Sequence, residues 1–169
     1  MDYKELILAS LSKADEEPGD EIIDRVIEDA VNQGYLVVAT SIDPIVDSTE
    51  VVYDDDGFPL PDDFHDVVEF KINRDLRFVE TDYYISDGML YFLNKDFKEP
   101  LDVEEKRKYT LRYSKYPEPL REETDVPKTR RQFDYAIILY AAYSLLLYKK
   151  RYTQADTLLS EFSTYIGGE

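Results

Sequence analysis

Apolar positions recur at helical spacing at both ends of the chain and at strand spacing in the middle. Tyr3, Leu6, Ile7, Leu11 and Ala14 form one stripe behind an acidic first turn, which predicts a helix over 2–14. Pro18-Gly19 breaks it. Asp20 then caps a second helix whose stripe is Ile22, Ile23, Val26, Ile27, Ala30 and Val31. Two endings fit the pattern: a stop at Gly34 with a strand over 35–38, or a helix continuing to about Thr40. The last quarter predicts two more helices. One runs from about Pro127 to Arg151, with almost no polar residue between Phe133 and Tyr148. The other is announced by Thr153 with Asp156 as a weak capping box, carries Ala155, Leu158, Leu159, Phe162 and Tyr165, and ends at Gly167-Gly168.

Between these pairs the period changes to two. Strands are expected at Thr49–Tyr53, Val67–Ile72, Arg77–Glu80, Tyr83–Ile85, Met89–Leu93 and Lys108–Tyr113, with a hairpin turn at Asp87-Gly88. In the last of these, Tyr109, Leu111 and Tyr113 alternate with Thr110 and Arg112. Residues 43–61 read as an acidic loop or extended arm, and Tyr116 to Pro127 as a proline-rich linker. The expected class is α+β: a mainly helical bundle with an inserted small antiparallel β-sheet over about 65–114 and an extended acidic loop. No internal repeat or low-complexity tract interrupts this reading.

Charge adds a second layer. The chain has 37 acidic and 20 basic residues, net −17, which argues against a general nucleic-acid binder. Between Arg25 and Lys71 there is no Lys or Arg, whereas twelve acids fall there. Positive charge collects at Lys106-Arg107-Lys108, Lys128 to Arg131 and Lys149-Lys150-Arg151. The asymmetry fits either solvated faces or distinct contact surfaces. The absence of cysteine excludes disulfides and thiolate chemistry and fits a reducing cytoplasm. Met1 to Glu5 has no signal-peptide character. The most apolar run, Tyr135 to Tyr148, is shorter than the roughly 20 residues of a membrane span.

Candidate chemistry is sparse. A lone histidine, His65, excludes a two-histidine zinc site, and its two readings are a base with an acidic partner or a surface or capping residue. Neither a nucleophile elbow nor a phosphate loop is present. The turn at Gly57 puts Asp54, Asp56 and Asp63 at calcium-loop positions but Val52 at the first, so a plain acidic turn is the default. Thus no enzymatic activity and no cofactor are expected. Fifteen tyrosines are the richer signal, since Tyr135, Tyr140, Tyr143 and Tyr148 lie along the apolar helix and Tyr152 follows. An all-round apolar helix must be covered on every side, so these tyrosines are expected either at the rim of the core or against neighbouring subunits.

Leu60-Pro61-Asp62-Asp63-Phe64 ahead of Val67-Val68, the stretch Tyr84 to Leu90, Leu111-Arg112-Tyr113 before a proline-bearing linker, and an apolar Ala/Tyr/Leu helix followed by one ending in Tyr165-Ile166 form a familiar order. This order resembles the head–tail connector (adaptor, or neck) proteins of tailed bacteriophages. The resemblance implies a single connector domain over 1–169, with a helical body at 2–42 and 127–166 and a β insertion at about 49–114. It further implies a homo-oligomeric ring, often twelvefold, between the portal protein and the tail or other neck proteins. DNA would pass as non-specific cargo, with no membrane involved. The location would be the virion neck, reached from the host cytoplasm during assembly. Phe162, Tyr165 and Ile166 would belong to a portal-docking C-terminal segment. Two readings of other classes stand beside it: an acidic DNA-mimic inhibitor and a carboxylate hydrolase without a recognisable motif.

Overall fold

A computed structural model describes residues 1–52, 57–72, 83–92 and 108–167. It is a mixed α+β protein, with four α-helices and two small antiparallel sheets among the described residues. Two compact units divide the chain: Met1–Ile45 with Pro117–Glu169, and Val46–Tyr116.

In the first unit, α1 is Tyr3–Lys13. Its cap is reciprocal, Asp2 accepting from the Glu5 amide at 2.8 Å while Glu5 accepts from the Asp2 amide at 3.0 Å. Helix α2, Glu21–Val37, is capped by Asp20 and continues into a π-helical turn at Val38–Ile42. The longer of the two expected endings is therefore the observed one, and residues 35–38 are not a strand. Gly34 stays helical because it lies against another helix: a Cβ there would sit 3.0 Å from the Ile137 carbonyl oxygen.

Helix α3, Asp134–Tyr148, begins later than the apolar pattern predicts, after a 3-10 turn at Arg131–Phe133. Side chains claim the backbone donors ahead of it. The Lys128 amide donates to the Tyr35 hydroxyl at 3.0 Å and the Arg130 amide to Asp43 Oδ2 at 2.7 Å, which anchors this stretch to the end of α2 and the residues after it. Helix α4, Tyr152–Gly167, starts without the Thr153 cap. Lys150 takes a left-handed conformation (φ 60°), and the Ala155 amide already bonds the Arg151 carbonyl at 3.0 Å. The core of this unit centres on α3, with Leu6, Ile27, Val31, Tyr35, Leu139 and Leu145 wholly enclosed.

The second unit holds β1 (Val46–Val52), β2 (Phe58–Pro59), β3 (Phe64–Ile72), β4 (Tyr83–Ser86), β5 (Met89–Phe92) and β6 (Lys108–Lys115). One expected sheet is in fact two, ordered β1-β6-β3 and β2-β5-β4. The β4–β5 hairpin turns at Asp87-Gly88 as the sequence predicts, with Ser86 opposite Met89. Leu111 and Tyr113 point inward and Thr110 and Arg112 outward, which matches the alternation. One small core, Val51, Phe58, Phe70, Leu90, Leu111 and Tyr113, serves both sheets, and Phe58 meets Phe70 edge-on at 5.0 Å. The strand expected within the acidic arm begins earlier than predicted, at Val46, and β2 adds a short second one at Phe58–Pro59. The expected strand at Arg77–Glu80, the tip of the acidic turn at 54–56, and Lys106-Arg107 lie outside the described residues.

Candidate assembly surfaces

Local geometry gives the Leu60–Phe64 segment a structural task. The Phe64 amide closes a turn onto the Pro61 carbonyl (3.0 Å), and Leu60 donates to the Gly88 carbonyl (2.9 Å). Asp63 accepts from the Tyr113 hydroxyl at 3.0 Å and faces Lys115 at 3.4 Å, while Phe64 stacks on the Tyr113 ring at 5.9 Å. The turn thus pins the start of β3 to the end of β6. His65 is half-buried, with Nδ1 3.2 Å from Ser114 Oγ and its ring edge-on to Tyr116 at 4.9 Å, the arrangement of a packing residue at the start of a strand.

The chain itself covers α3. Helices α1, α2 and α4 all pack on it, and Ala136 to Leu139, Ala141, Ala142, Leu145 and Leu146 are buried. The tyrosines therefore separate. Tyr140 meets Tyr143 at 6.1 Å and Phe162 at 5.9 Å, and both tyrosines pack half-buried on this core. Of the two readings of these tyrosines, Tyr135, Tyr140 and Tyr143 take the rim of the core. Only Tyr148, 54% exposed beside Leu147 at the C-terminal end, stays open.

Tyr135 is the hub of a polar bridge among three helices. Its hydroxyl donates to Glu161 Oε1 at 2.5 Å, and Lys13 Nζ lies 2.9 Å from both the hydroxyl and that carboxylate oxygen. Hydrogen bonds from Tyr135 and then Lys13 hold the Glu161 carboxyl below its usual range, and those to Tyr135 and then Glu161 raise the Lys13 ammonium. Tyr165 packs edge-on against Tyr135 at 5.3 Å and donates its hydroxyl to the Gln132 carbonyl.

The three C-terminal candidates consequently differ. Phe162 is 8% exposed and packs in the core, where it fills the α3–α4 seam. Tyr165 and Ile166, 39% and 38% exposed, are accessible, though Tyr165 is engaged with α3 through its ring and with the preceding 3-10 turn through its hydroxyl.

Several organising residues carry no motif. Asn32 donates to the Tyr3 hydroxyl (3.2 Å) and the Leu120 carbonyl (3.1 Å) and accepts from the Leu120 amide (2.8 Å), which fastens the linker to α2. Burial, then the Glu28 and Asp29 charges, push the Tyr3 phenol up to about 12. Glu16, largely enclosed, forms ion pairs with Lys149 (2.5 Å) and Arg151 (3.1 Å), so two of that cluster's three positive charges are neutralised within the chain. An open cleft of about 240 Å³ between α1, the start of α2 and residues 121–123 has Lys4, Arg121, Asp24, Glu28 and Glu123 in its wall, with Lys4 already paired to Glu123 at 2.7 Å. Among the described residues no group of three His, Asp or Glu is placed to hold a metal ion, and no helix is long and apolar enough to cross a membrane. Asn32 and Glu16 left no trace in the hydrophobic pattern, because their partners are distant in sequence. Neither the protein-family models nor the curated proteins contain a match to this chain.

Proposed function

We propose that this chain is a structural head–tail connector subunit of a tailed bacteriophage, a non-catalytic protein that forms a ring between portal and tail. One observation carries the reading. A helical body is contributed by both chain ends and interrupted between α2 and α3 by a β-rich unit whose first long strand starts at the Leu60–Phe64 turn. That is the part order of the resembled family, with the helical bundle as the ring's body and the β unit reaching neighbours or the tail. The surplus of acid supports it further, because a channel for DNA must not grip phosphates. In this reading the acids of residues 26–70, a segment with no Lys or Arg, supply the lumen charge. Tyr165 and Ile166 contribute to portal docking, while Phe162 acts from the core. The test is electron microscopy of the chain mixed with its portal protein. Stoichiometric rings on one end of the portal are expected, and no association would overturn the reading. A map with residues 26–70 on the outer surface would remove the lumen assignment alone.

A further inference from the structure

Helix α3 ends in a Schellman turn that lacks its customary residue. The Arg151 amide bonds the Leu146 carbonyl (2.9 Å) and the Lys150 amide the Leu147 carbonyl (3.0 Å), so Lys150 occupies the position where a left-handed glycine usually sits. Its φ of 60° is unfavourable for a residue with a Cβ. Locally the sequence asks for the opposite. Residues 128–166 contain neither glycine nor proline, and Lys149, Lys150 and Arg151 are good helix formers. Left to itself, this stretch would run α3 and α4 into one helix over 134–167, about 50 Å long. What turns it back is tertiary. Glu16 pairs with both Lys149 (2.5 Å) and Arg151 (3.1 Å), residues that lie about 200° apart on a continuous helix and cannot then share one carboxylate. The other tie is the α3–α4 seam, where α4 buries Ala155, Leu158 and Phe162 while Glu161 bonds Tyr135 and Lys13.

We propose that α4 exchanges between copies: the hinge at 149–151 straightens, and α4 of one chain fills the α3 groove of a second. The occupant is fixed by the groove itself, because α4 is the segment that fits it. Closed and exchanged forms share every contact across this seam. They differ at the hinge, where exchange removes a left-handed lysine and adds helical turns. Concentration then decides, since only the exchanged form gains from mass action. Donor helix and acceptor groove are different surfaces, so reciprocal exchange closes a pair and exchange passed on round a circle closes a ring. The exchange assumes nothing about what the chain builds, and it stands apart from the connector reading.

Charge reversal across the seam tests it on the full chain. Lys13 and Glu161 lie 2.9 Å apart, one on α1 and the other on α4. Lys13→Glu and Glu161→Lys each place like charges there, both in the closed form and in exchange between identical copies. Exchange between the two variants restores opposite charges at every seam. The variants are refolded from urea separately and as an equimolar mixture, at about 100 μM in total, and followed by sedimentation velocity. The mixture is expected to form hetero-oligomers at least about tenfold more favourably than either variant associates alone. Adding Lys150→Gly to both chains relieves the turn and disfavours the straight helix, and weakens those oligomers by more than about tenfold. A variant unfolded alone but folded in the mixture, by circular dichroism, is the same result in stronger form. A mixture that stays monomeric or unfolded, or that associates no better than its components, overturns the proposal. So do hetero-oligomers indifferent to Lys150→Gly.

Discussion

Replacing Gly34 by alanine sets two opposed effects against each other at one methyl group. In mid-helix the change should help, since alanine is favoured over glycine by about 1 kcal/mol. The added Cβ, however, would lie 3.0 Å from the Ile137 carbonyl oxygen and 3.4 Å from both Ile137 Cα and Tyr140 Cβ. Two of those atoms are α3 backbone and cannot rotate away, so α2 and α3 must separate by a few tenths of an ångström. Overpacking of this kind costs about 1–3 kcal/mol, and a backbone obstacle belongs in the upper half of that range. The net expectation is a loss of about 1–2 kcal/mol, or about 3–6 °C in Tm for a chain of this size. Thermal melts followed by the helical circular dichroism signal report it. Gly167→Ala is the control: nothing lies within 4 Å of the Cβ added there, so its stability stays equal or rises slightly. A Gly34→Ala protein as stable as the parent would refute close backbone approach as the reason for this glycine.

Phe162→Ala should cost about 3 kcal/mol in urea denaturation, because it empties the seam against Tyr140. Unchanged stability with lost portal binding would restore it as a docking residue. Glu161→Gln should destabilise by about 0.5–1 kcal/mol at neutral pH. Glu161's folded-state pKa is lowered, so its contribution is present above the ordinary glutamate range and lost as pH falls through the folded value. The gap between parent and variant should therefore close in acid, and a gap independent of pH contradicts the bridge. Asn32→Ala removes three hydrogen bonds to Leu120 and Tyr3 and should cost about 2 kcal/mol. Faster hydrogen exchange at the Leu120 amide should accompany it, and unchanged exchange there would count against the clamp.

The assembly argument changes footing once burial is known. Tyrosine richness along α3 fitted either the rim of the core or a neighbouring subunit, and three of those four tyrosines pack on helices of the same chain.

Features that depend on near neighbours in sequence were determined by the sequence alone. Asp20 caps α2 because its carboxylate reaches amides two and three residues on, and Asp87-Gly88 turns the hairpin because both residues tolerate positive φ. Apolar period separated the helical ends from the β-rich middle for the same reason. Features that depend on distant partners were decided only by the tertiary structure. Strand β1 pairs with β6 and β2 with β5, across gaps that no alternation encodes, so one expected sheet became two. Tyr35 and Asp43 anchor the Lys128 and Arg130 amides ahead of α3, and the left-handed turn at Lys150 carries no glycine to announce it. Burial of Phe162 and exposure of Ile166, four residues apart on one helix, follow from where α3 lies. A sequence specifies which face of a helix is apolar, but what covers that face is set by chain segments far away.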